Sequence, residues 1–138
     1  MSDVLNNAAI DRLARWILGL AGAAPTLQLR LYSTNVVPTP TTVEADFTEV
    51  SAPGYRPVNF APGNWTGSTV AGIAVYNYPV IAIAFTGPGS PGQTVFGSWV
   101  RDSATGQVLW ARLWDAPYTI PPPGGTIYVT PTWQDRQC

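Results

Sequence analysis

All fourteen prolines lie at or beyond Pro25, and together with the glycines they cut the chain from there on into short runs. A proline cannot donate to a ladder and is excluded from the interior of a helix or a central strand. The runs between are rich in Val, Ile, Thr and aromatic residues, the texture of a β-sandwich or barrel. Strands are expected around Leu27–Tyr32, Arg56–Phe60, Thr69–Tyr76, Val80–Thr86, Thr94–Arg101, Gln107–Trp114 and Thr126–Trp133. The stretch Glu44 to Val50 is either a short strand or an irregular segment packing Phe47 inward. In the first strand Leu27, Leu29 and Leu31 should face in, and Gln28, Arg30 and Tyr32 out. Val80 to Phe85 is apolar on both faces, which suits a central or an interface strand. Asp102-Ser103-Ala104-Thr105-Gly106 is a hairpin link with a closing glycine. Pro38 and Pro40 make a stiff loop, and Pro53-Gly54 and Pro121 to Gly125 make turns.

Before Pro25 the pattern is different. Over residues 3–22, Leu5, Ala9, Leu13, Trp16, Ile17 and Leu20 recur at helical spacing and form one apolar stripe. Ser2 or Asp3 could cap the start, and Gly19, Gly22 and Pro25 close the end. The expected fold is therefore mainly β: a single jelly-roll or Greek-key sandwich or barrel over residues 26–138, with one N-terminal amphipathic helix in an arm over residues 1–25. The stripe has three possible covers: its own domain, its copies about a symmetry axis, or a larger partner.

Only 11% of the residues are charged, with a net charge of −1, against roughly 25% charged in ordinary soluble domains. So few charges suit a subunit whose outside is also covered, although Ser, Thr, Asn and Gln can solvate a surface too. No basic cluster is present to track phosphates, so no nucleic-acid partner is expected. No segment is long and apolar enough to span a bilayer, and no membrane partner is expected. Trp16 to Ala24 loosely matches a signal core, but Asp3 and Asp11 offset Arg12 and Arg15 and remove the positive bias a signal needs. The single cysteine, Cys138, excludes an internal disulfide.

The chain has no histidine and no lysine. That removes the commonest general base, the Ser-His and Cys-His nucleophile pairs, lysine chemistry and the usual zinc sites. Glu44, Asp46 and Glu49 form the one acidic cluster. They could in principle serve a carboxylate-only hydrolase or a calcium ion, but solvated or turn-stabilising acids are the simpler reading. No catalytic, cofactor or metal residue is expected. Asn64-Trp65-Thr66 has the form of a glycosylation triplet and reads as a turn. Trp99 and Arg101 share a face of one strand, and Trp110, Arg112 and Trp114 share a face of the next. Trp and Arg are enriched where subunits meet, and aromatic faces also stack on sugars. Interface or core is the preferred reading, so Leu13, Trp16, Ile17, Leu20, Trp99, Trp110, Arg112 and Trp114 are the candidate interface residues.

Leu29-Arg30-Leu31-Tyr32-Ser33-Thr34-Asn35, then Pro38, Glu44-Ala45-Asp46-Phe47-Thr48-Glu49-Val50 and Gly54-Tyr55, make a distinctive opening. It is followed by Val95-Phe96-Gly97-Ser98-Trp99-Val100-Arg101-Asp102 and Thr105-Gly106-Gln107-Val108-Leu109-Trp110-Ala111. This series resembles small virion proteins of tailed bacteriophages, including cyanophages, and covers most of the chain after Leu27. The resemblance implies a capsid decoration or cement protein, commonly a homotrimer, seated on the major capsid protein of the virion and assembled in the host bacterial cytoplasm. Tail placement is the other option it leaves open, and the aromatic content would then suit a receptor- or glycan-binding module. It implies no catalytic residue.

Overall fold

The computed structural model describes residues 4–20, 25–89 and 91–135. In chain order the elements are β1 (Val4–Leu5), α1 (Asn7–Ile17), β2 (Leu27–Tyr32), β3 (Val58–Asn59), β4 (Thr66–Val70), β5 (Ile73–Asn77), β6 (Ile81–Phe85), β7 (Thr94–Asp102), β8 (Val108–Thr119), β9 (Gly125–Val129) and β10 (Thr132–Asp135). Short 3-10 turns lie at Glu44–Asp46 and Pro62–Asn64. The described strands form three antiparallel sheets, ordered β1-β8-β7-β2-β3, β10-β5-β4 and β6-β9.

One face of the five-stranded sheet meets the β6-β9 ribbon. Leu29, Leu31, Val100, Leu109 and Trp110 from the sheet pack with Ile81, Ile83, Phe85 and Ile127 from the ribbon. Each fully buried aliphatic or Phe side chain contributes on the order of 1.5–3 kcal/mol. The alternation in Ile81–Phe85 is strict, with Ile81, Ile83 and Phe85 buried and Ala82 and Ala84 exposed. This run is therefore not a central strand: β9 is its one partner among the described residues.

The other face of the five-stranded sheet carries a second, smaller core. Phe47 stacks on Tyr32 at 4.6 Å and on Trp99 at 4.9 Å, with Val108 and Ala111 beneath. Tyr32 was expected to face solvent, yet it is fully buried. The strand periodicity is right, but the 43–50 segment folds over the outward face and turns it into an interior. That segment is irregular, with its 3-10 turn and one bridge between Glu49 and Tyr32.

Two expected strands are each two elements. Residues 69–76 contain a turn at Ala71-Gly72, and β4 and β5 pair across it. Residues 126–133 break at Thr130-Pro131, because a proline cannot continue the ladder; β9 pairs with β6 and β10 with β5. The 102–106 hairpin forms as expected, with the Gly106 N–H donating to the Asp102 carbonyl at 2.8 Å.

The helix begins later than its stripe suggests. Val4 and Leu5 pair with Ala111 and Trp110, so these residues are extended. Asn6 is the cap: its Oδ1 accepts from the Ala8 N–H at 3.0 Å, and its Nδ2 donates to the Thr42 carbonyl at 2.6 Å. Ser2, Asp3 and residues 21–22 lie outside the described residues. At the far end the Leu20 N–H donates to the Arg15 carbonyl at 2.7 Å with Gly19 at φ +72, the left-handed termination glycine allows. The helix rests on the β strands: Ala9 is buried in the main core and Arg12 pairs with Asp102 at 2.7 Å. No helix among the described residues is long and apolar enough to cross a membrane.

Candidate functional site

Strand β8 departs from simple pairing where it leaves the core. Gly97 lies opposite Leu113, but Val95 lies opposite Tyr118. Residues 114–117 of β8 thus bulge out against Phe96 alone. Bulges bend a strand and re-aim its side chains, and Pro117 in this one could not have served a regular ladder.

The bulge opens a cleft of about 490 Å³ lined by Arg112, Trp114 and Tyr118 from β8 and by Thr126 to Thr130. The volume falls in the range of about 300–1,000 Å³ typical of small-molecule sites. Four consecutive residues of β9, Thr126 to Val129, and Thr130 after them line it. A strand shows consecutive residues only when met along its edge, because its faces alternate. The opposite edge of β9 is taken by β6, and among the described residues no strand pairs along this one.

Arg112 and Trp114 are half-buried. Trp114, Tyr118 and Val129 rest on the main core. Tyr118 stacks near Phe85 at 6.4 Å, and Tyr128 is 72% exposed. Arg12, Arg15, Arg30 and Arg101 each pair with a carboxylate. Among the described residues the Arg112 guanidinium is in no ion pair, and the Asp115 carboxylate is its electrostatic neighbour.

The other candidate residues scatter. Register places Trp99 opposite Ala111 and Val100 opposite Trp110, so the Trp99 and Trp110 faces are opposite sides of one sheet. Trp99 is 2% exposed in the small core, and Trp110 is 6% exposed in the main one. Trp110 sits edge-on to Trp133 at 4.9 Å. Both indoles are packed inside their own chain, which corrects their assignment to an interface. Leu13 is 36% and Leu20 68% exposed; the side chains of Trp16 and Ile17, like Cys138, lie outside the described residues. Ile10 on α1 and Leu18 just after it add to the exposed apolar surface. On the β6-β9 ribbon Val80, Ala82, Ala84 and Tyr128 face outward.

The acidic cluster is occupied internally. Glu44 accepts from Arg101 at 2.7 Å, and Glu49 accepts from Arg30 at 2.8 Å and from the Tyr55 hydroxyl at 2.9 Å. Asp46 accepts from the Val43 N–H at 3.0 Å and closes the 3-10 turn. Among the described residues no group of three His, Cys, Asp or Glu side chains could hold a metal ion. Asn64 ends a 3-10 turn and Trp65 packs on Phe60 and Tyr78.

The sequence reading ended β8 at Trp114 and missed Tyr118, Tyr128 and the open β9 edge. Pro117 and Pro131 were the available signals: one marks a break in the ladder, the other the end of β9. Comparison with known proteins gives no match: no family model, no curated protein and no solved structure.

Proposed function

We propose that this chain is a non-enzymatic structural subunit of a bacteriophage virion, a capsid decoration protein that assembles as a homotrimer on the major capsid protein. The observation that carries this reading is the apolar surface left outside both cores. Ile10, Leu13, Leu18 and Leu20 on one side and Val80, Ala82, Ala84 and Tyr128 on another stand exposed. Large exposed apolar surface marks interaction sites, and a chain with 11% charged residues has few groups to solvate it. The likeness of the Leu29–Tyr55 and Val95–Ala111 segments to small phage virion proteins supplies the setting. The absence of His and Lys, and the engagement of Glu44, Asp46 and Glu49 by neighbouring groups, support a role without catalysis. A jelly-roll or Greek-key relation among the three sheets belongs to the same proposal.

Light scattering at micromolar concentration should give the mass of a trimer, and the protein should bind capsids that lack it. Leu13→Asp combined with Leu20→Asp places charges on the exposed stripe without entering either core. That variant should stay folded by circular dichroism and lose trimer or capsid binding. A wild-type monomer without affinity for capsids overturns the proposal.

A further inference from the structure

The geometry points to a binding site for an acidic saccharide in the cleft between β8 and β9. Three features converge there. The first is charge: Arg112 is half-buried and in no ion pair among the described residues, with the Asp115 carboxylate as its electrostatic neighbour. A guanidinium offers a planar fork of donors matched to a carboxylate, and it gains strength when part of its surroundings is protein rather than water. The second is the aromatic wall of Trp114, Tyr118 and Tyr128. Such side chains present a large apolar face with a polar tip, suited to a ring that is apolar on its C–H face and polar at its rim. The third is the free edge of β9, whose alternate main-chain groups can meet hydroxyls as a partner strand would.

Each feature alone has other uses. A purely apolar ligand would leave the Arg112 guanidinium and the β9 edge without a hydrogen-bonding partner. A simple inorganic anion would leave the aromatic wall idle. A sugar ring bearing a carboxylate satisfies all three, and the cleft volume of about 490 Å³ suits a short oligosaccharide terminus. The cleft shares Tyr128 with the apolar surface of the proposed function; oligomeric state is read by mass and the cleft by ligand.

The test is calorimetric titration of the full chain with short galacturonate, glucuronate and mannuronate oligomers and sialyllactose. The methyl esters of the same uronates serve as controls that keep the ring and remove the charge. At least one acid should bind with a sub-millimolar Kd, and its ester at least tenfold more weakly. Arg112→Gln should lose at least tenfold and Arg112→Lys less, with melting unchanged. Tyr128→Ala, which alters an exposed side chain, should lose severalfold. Failure of every acid up to several millimolar overturns the inference, as does equal binding of acid and ester or full binding by Arg112→Gln. Binding of a poly-glutamate peptide with no acidic sugar bound would make the cleft a protein-docking groove and overturn it as well.

Discussion

The Arg12 guanidinium on α1 lies 2.7 Å from the carboxylate of Asp102 at the end of β7, and that carboxylate is almost fully buried. Burial alone would raise the acid's pKa. The Ala104 N–H, the Arg12 guanidinium and the Thr105 hydroxyl outweigh it and hold the group below its ordinary 3.8. The pair thus ties the helix to the hairpin turn. Arg12→Ala should cost about 1.5–3 kcal/mol, the range for hydrogen bonds to charged groups. Chemical denaturation measures the loss, and faster proteolysis within residues 7–17 would locate it. Because the folded-state pKa is depressed, the stabilisation is present above 3.8 and is lost as pH falls through the folded-state value. The acid limb of a melting-temperature profile should flatten in the Arg12→Ala variant.

The small core depends on one ring. Phe47 lies between Tyr32 and Trp99 and is carried by a segment with little regular structure. Phe47→Ala should cost about 3–5 kcal/mol, as buried aromatic deletions do. Hydrogen exchange should show new opening of the 43–50 segment while the β6-β9 ribbon stays protected. A loss below 1 kcal/mol would mean that the segment does not close a core.

Gly97 marks a tight crossing. A Cβ there would run into the Arg112 carbonyl and the Tyr32 ring. The carbonyl is backbone in a paired strand and cannot yield, so the change overpacks the site. Gly97→Ala should lower the melting temperature by an amount equivalent to at least about 1–3 kcal/mol.

One buried and one half-buried tyrosine set an alkaline limit. Burial raises the Tyr32 pKa from 10.0 to about 12. Tyr55 is raised further, chiefly by burial, with Glu49 adding to the shift. A raised folded-state pKa leaves stability intact below 10 and erodes it as pH climbs from 10 towards 12. Tyr32→Phe keeps the stack and removes hydrogen bonds to the Val36 and Arg112 carbonyls. It should cost about 0.5–1.5 kcal/mol at pH 8 and show a shallower decline above pH 10. Equal slopes for the two proteins would show that Tyr32 ionises freely in the folded state.

Alternation and punctuation by themselves determined the strand-rich class, the Leu27–Tyr32, Val80–Thr86 and Thr94–Arg101 strands and the 102–106 hairpin. Those features rest on local geometry: side chains alternate every two residues, and prolines and glycines fix where the chain can turn. Which face of a strand is interior is not local. Tyr32 follows the outward parity of Gln28 and Arg30, and only the arrival of Phe47 buries it. Trp110 and Trp114 share a parity, yet Trp110 is roofed by Trp133 while the bulge leaves Trp114 on an open cleft. Likewise Ala9 and Leu20 belong to one helical stripe, but the domain reaches far enough to bury only the first. Burial depends on which distant segment lies across a face, and that was decided by long-range pairing in the tertiary structure.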